Sequence, residues 1–121
     1  MNVVAVRGTL SRAPEVRELP SGTRLVAYEV TVAREGERSE SVPVSWADPP
    51  ASASAFSAGD DVVVVGRVRR RFFRTGGGTQ SRTEVVADTV VKAGSRRRVG
   101  TALSKAQEVL AAAGAPLPVA G

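Results

Sequence analysis

The segment that most constrains the fold of this chain is residues 62–74, VVVVGRVRRRFFR. Four consecutive valines favour extended backbone, because β-branched side chains pack well on a pleated surface. In a strand, alternate side chains share a face. Val63, Val65, Arg67, Arg69, Arg71 and Phe73 therefore fall on one side, and Val62, Val64, Val68, Arg70 and Phe72 on the other. One strand begins as apolar core and ends as a cationic ladder tipped with rings. Its first half needs a body to bury it, and its second half needs water or a ligand. Guanidinium groups bind phosphates, and flat rings stack on unpaired bases. The segment thus predicts a surface for single-stranded nucleic acid. Arg67, Arg69 and Arg71 are expected on phosphates and Phe73 on a base. Phe72 is expected in the core, with a stacking platform as the alternative, and Arg70 shares its face but is a candidate for nucleic acid if it lies beyond the barrel rim, where both faces are wet.

Elsewhere the alternation is that of half-buried strands. Val4, Val6 and Leu10 alternate with Ala5, Arg7 and Thr9, and Gly8 marks a bend or bulge. Residues 11–22, with Pro14, Pro20 and a Ser21-Gly22 turn, read as a connection. Val26, Tyr28, Val30 and Val32 give a second strand, residues 35–38 a polar hairpin tip, and Val42, Val44 and Trp46 a third strand. Pro43 lacks an amide proton and predicts a free edge there. Residues 48–61 read as a loop with at most one short helix, begun by Pro49 or Pro50 and ended by Gly59. A fourth strand over 62–74, a glycine loop over 75–79 and a fifth strand over 83–91 complete the set. Five strands with one helical slot between the third and fourth predict an all-β, five-stranded antiparallel barrel, with a sandwich as the competitor.

The barrel domain is assigned to residues 1–94, and 95–121 to a basic linker and tail. In the tail, Ser104 and Gln107 form a candidate capping box. Leu103, Ala106, Leu110 and Ala113 make a helical stripe that Gly114, Pro116 and Pro118 would stop. Two readings stand open, a partly ordered tail and a helix docked on a neighbouring subunit.

Charge distribution carries the functional expectation. Residues 1–66 hold six basic and nine acidic residues, whereas residues 67–98 hold ten basic and two acidic, within a net charge of +5. Cations concentrated in one stretch are the footprint of a polyanion partner. Arg74 and Arg82 flank the glycine loop and are expected either to clamp a nucleic acid or to sit in a solvated turn. Arg96, Arg97 and Arg98 either extend the basic path or form a solvated linker. Arg24, like Arg12 and Arg17, is divided between binding and local pairing with Glu15 or Glu18. Tyr28 and Trp46 alternate with valines and are expected in the core, with base stacking the alternative for Trp46.

The chain has no Cys and no His. That excludes disulfides and Cys-ligated zinc, and removes the commonest general base at neutral pH. Gly76-Gly77-Gly78-Thr79 lacks the Gly-Lys-Ser/Thr ending of a phosphate-binding loop. Asp60 and Asp61 read as a turn, and Glu84 and Asp88 share a strand face without making a site. No enzyme activity, cofactor or metal is expected. No signal peptide or membrane span is read from the sequence, so a cytoplasmic protein is expected, nucleoid-associated through its nucleic acid.

Residues 4–10 (VAVRGTL), 13–17 (APEVR), 20–22 (PSG) and 26–32 (VAYEVTV), followed by 59–73 and 83–88, resemble in order and spacing the bacterial single-stranded DNA-binding proteins. The resemblance spans about residues 3–94. It implies a Greek-key oligonucleotide-binding fold, sequence-tolerant binding and protection of single-stranded DNA in replication, recombination or repair, and assembly into homodimers or homotetramers. A stacking role transfers to Phe73. The third strand's tryptophan position falls near Ser41, and the second hairpin's aromatic falls near residues 34–36, where no ring exists. No acidic residue follows Glu108, so recruitment of repair enzymes through an acidic tail is not expected. The chain resembles a short, divergent member. An interaction or replication-restart subunit with weak nucleic-acid binding, and an RNA binder, are the alternatives.

Overall fold

The computed structural model describes residues 2–113. Six strands are present: β1 (Val4–Leu10), β2 (Glu15–Glu18), β3 (Arg24–Val32), β4 (Glu40–Ala47), β5 (Asp61–Thr75) and β6 (Gly78–Lys92), followed by one helix, α1 (Arg96–Ala113). The pairing order is β1-β5-β6-β4-β3-β2, and β1 also pairs with β3. Five strands therefore close into a ring, with β2 added along β3.

The expected barrel of five antiparallel strands is corrected in two ways. The connection read over residues 11–22 contains β2, whose Glu15–Glu18 run pairs with β3 from Ala27 to Arg24. The sheet is also mixed, because β4 and β6 run parallel at Val44↔Val85 and Ser45↔Val86. Strand direction cannot alternate all the way around a ring of five, so one pairing has to be parallel. Pro43 stands just before that contact, where β4 has no need of its missing amide.

The ring closes at Gly8. There β1, still paired with β5 as far as Thr9↔Asp61, also takes up β3 through Thr9↔Thr31 and Leu10↔Val30. A Cβ on Gly8 would lie 2.4 Å from the Thr31 carbonyl oxygen. The glycine is thus required by close backbone approach, without a break in the β1–β5 register. A bulge falls instead between Val65 and Gly66, opposite which Asp88 is the extra residue.

Val26, Val30, Val44, Val62, Val64, Val85 and Val90 fill the barrel, with Leu10, Tyr28 and Trp46. Trp46 and Tyr28 are buried, as their alternation with valines predicts. One turn of 3-10 helix, Ala51–Ser54, begins after Pro50 and occupies the expected helical slot. It caps the core: the Tyr28 hydroxyl donates to the Ala53 carbonyl at 2.6 Å, and Phe56 meets the Tyr28 ring edge-on at 6.1 Å.

A second cluster lies on the opposite face of β5, where Val63 and Val65 pack against Ala102, Val99 and Ala106 of α1. The tail is therefore a helix of 18 residues seated on its own barrel. It begins at Arg96, where a linker was expected. Its docked stripe is Val99, Ala102 and Ala106, while Leu103 and Leu110 are exposed. Small side chains let the helix approach the sheet closely. Ser104 and Gln107 sit inside the helix and do not cap it. The expected stop at Gly114, Pro116 and Pro118 lies outside the described residues.

Candidate nucleic-acid interface

β5 and β6 are 15 residues each, far longer than the barrel wall. Val62–Gly66 are buried, and every β5 residue from Arg67 onward is exposed. The ladder continues unbroken to Thr75↔Gly78, so the expected five-residue loop is a two-residue Gly76-Gly77 turn. This projecting hairpin carries most of the predicted site.

Residues opposite each other across the ladder share a face. On the helix-side face, continuing from Val63 and Val65, lie Arg67, Arg69, Arg71 and Phe73, opposite Val86, Glu84, Arg82 and Gln80. On the barrel-side face lie Val68, Arg70, Phe72 and Arg74, opposite Val85, Thr83, Ser81 and Thr79. Phe72 was expected in the core. It is 68% exposed, against 40% for Phe73. The alternation is as read, but the barrel ends at Gly66 and no interior remains for that face to enter. Phe72 stands between Arg70 and Arg74 on a face with no carboxylate opposite.

On the other face the arginines differ from one another. Arg69 places Nη2 at 2.6 Å and Nε at 3.2 Å from Glu84 Oε1, and that carboxylate is buried. Arg69 is thereby held to the hairpin root. Arg67 and Arg71 have no ion pair among the described residues. Arg71 faces Arg82 directly, an arrangement that destabilises a ladder unless an anion comes between them. Arg82 also lies in the field of Glu29. The Ser41 hydroxyl, which donates to it, and then Arg12 at 2.8 Å hold the Glu29 carboxyl below the usual carboxylate range, with Arg82 adding to the effect.

The remaining sequence candidates separate clearly. Arg24 donates to the Ser54 hydroxyl at 3.3 Å, and its amide to Asp48 at 3.0 Å. Arg17 pairs with Glu15, whereas Arg12 pairs with Glu29. Trp46 belongs to the core and presents no surface for stacking. Arg96, Arg97 and Arg98 occupy the first turn of α1, which holds no acidic residue. Cations there oppose the helix dipole, each costing about 0.3–1 kcal/mol. That unfavourable placement hid the helix start from the sequence reading. Lys105, not singled out in the sequence, joins Arg97 and Arg98 along a cleft between α1 and the sheet. Helical phase alone, once the start at Arg96 is known, would have found it. Asp60 accepts from the Ser57 amide within a turn, whereas Asp61 opens β5 and pairs with Arg7 of β1, both at 2.9 Å.

A model of the single-strand binding protein family matches residues 1–93. Among solved structures, the wild-type single-stranded DNA binding protein from Thermus aquaticus is 28% identical and superposes with a TM-score of 0.62. A deletion mutant of that protein gives 28% and 0.63. Each alignment covers 76% of this chain and 40% of the Thermus chain. The chain thus aligns over less than half the length of these solved relatives. No curated protein matches.

Proposed function

Because the chain belongs to the single-strand binding protein family, we propose that it coats single-stranded DNA across the free half of the β5–β6 hairpin, protecting strands exposed in replication, recombination or repair. The observation that carries this reading is the Arg70–Phe72–Arg74 row: an exposed ring between two cations, with no acid facing it. Arg67, Arg71 and Arg82 extend the cationic surface to the other face, where Phe73 supplies a second ring. Cations follow the backbone and rings stack on bases, so binding tolerates sequence. The role is binding, not catalysis. The binding domain is residues 1–94, with 95–121 as an extension.

Titration with dT oligomers across a salt series tests this. Five unpaired arginines each neutralising a phosphate give a log–log slope of about −3.5, at roughly −0.7 per phosphate. Affinity that stays flat with salt rules the reading out.

Self-association is part of the same proposal. β1 lies at the edge of the pairing order, and from Val4 to Gly8 its second edge is unpaired within the chain. Such an edge invites pairing with another copy. Sedimentation at graded concentration, showing a monomer throughout, would refute assembly.

A further inference from the structure

We infer that the cleft between α1 and the helix-side face of β5–β6 is a second subsite for single-stranded DNA, which seats bases on its apolar walls and phosphates on Arg97, Arg98 and Lys105. This inference rests on the reading of the hairpin as a DNA surface, and says where the nucleic acid goes next.

α1 is seated on the sheet by Val99, Ala102 and Ala106. Beside these contacts the helix leaves a cleft of about 990 Å³. Val65 and Val91 form its floor, and Ala106 and Val109 its wall. Val109 remains 46% exposed, an apolar surface that the barrel itself does not cover. Three cations and one carboxylate, Asp88, stand along the cleft. None of the three cations has an acidic partner among the described residues.

An occupant matching these walls is flat and apolar on one part and anionic on another. A nucleotide has both. Val65 is also the last apolar rung before Arg67, two residues or about 7 Å along the strand. The cleft therefore opens onto the cationic ladder of Arg67 and Arg71, and one nucleic-acid chain can follow both. A peptide bound as an added strand fits less well. The floor is a sheet face between paired strands, so a bound peptide has no free edge for its backbone. The family model ends at residue 93 and α1 starts at Arg96, so the helical wall of this subsite and all three of its cations lie beyond the matched region.

The test compares the full chain with the triple variant Arg97→Ala, Arg98→Ala, Lys105→Ala on dT oligomers over a salt series. Loss of three phosphate contacts should make the slope shallower by about 2, and Lys105→Ala alone by about 0.7, which serves if the triple variant does not fold. Oligomers bearing a diazirine on the base, whose carbene inserts into C–H bonds, should photo-crosslink to the peptide containing Val109 in the parent. If the parent binds dT while the variants keep its slope and the crosslinks stay on the hairpin, the subsite is refuted and the hairpin reading stands. A parent that binds no dT sinks both. Capture of an acidic, leucine-bearing peptide by the parent and not by the triple variant, with the DNA slope unchanged, assigns the cleft to a peptide and overturns the inference.

Discussion

Two hairpins leave the same barrel, and they differ in how their charges are spent. The β3–β4 hairpin carries Arg34 and Arg38 beside Glu35, Glu37 and Glu40, and Arg34 approaches Glu37 at 3.8 Å. The β5–β6 hairpin carries Arg67, Arg70, Arg71, Arg74 and Arg82, and its one carboxylate above the root, Glu84, is consumed by Arg69. Cation count alone would mark both as basic. What separates them is the supply of carboxylate: one surface is satisfied by its own sequence, and the other is left in deficit.

The sharpest way to break this contrast is to remove the rings of the deficient hairpin. Phe72→Ala should weaken dT binding by about 1–3 kcal/mol, and Phe73→Ala by less, because Phe73 is the more covered ring. Equal losses, or a larger one at Phe73, would reverse the assignment of faces. Next in size is the point where the hairpin leaves the barrel. A Cβ on Gly66 would meet the Val86 carbonyl oxygen at 2.0 Å. Gly66→Ala should lower stability to denaturant by about 1–3 kcal/mol through forced backbone displacement.

Glu84→Gln should release Arg69 to solvent. Because Arg69 is half exposed, the stability cost should stay near 1 kcal/mol. The salt slope for dT should steepen by about 0.7, and an unchanged slope would show that Arg69 cannot reach DNA even when freed. Arg34→Ala with Arg38→Ala, in the satisfied hairpin, should move dT affinity by less than about 0.5 kcal/mol. A loss matching that at Phe72 would erase the distinction between the hairpins.

The smallest expected effect concerns acid. The Glu29 carboxyl is held low chiefly by the Ser41 hydroxyl and then by Arg12. A lowered folded-state pKa stabilises the fold above the unfolded value and is lost as pH falls through the folded one. The contribution should be intact above about pH 4.5 and fade below it. Thermal melts of Ser41→Ala should show a weaker dependence on pH in that acid range than the parent.

The valine periods made much of the barrel legible. β1, β3 and β4 each bury one face while the other stays polar or half-covered, so their side chains alternate in kind, whereas the four valines opening β5 are buried on both faces and betray their strand by β-branching. β2 escaped because Glu15–Glu18 is exposed throughout, and only backbone pairing with β3 makes it a strand. The parallel contact is a property of ring closure and is written in no local pattern. At the site, alternation placed Arg67, Arg71 and Phe73 on one face, but it cannot say where a barrel stops. That limit sent Phe72 to the interior when the rim had already been passed. Arg69 looked like its neighbours until Glu84, fifteen residues away, was brought opposite it. In the tail, Leu103 and Leu110 were the more conspicuous apolar residues, yet the sheet takes the smaller Ala102 and Ala106.

Arg71 and Arg82 confront each other across the ladder, so the hairpin is loaded against itself. Any polyanion able to slip in, a sulfated sugar polymer as readily as DNA, relieves that load. Electrostatics therefore gives this surface appetite without taste, and the choice of nucleic acid over other polymers of like charge falls to Phe72 and Phe73.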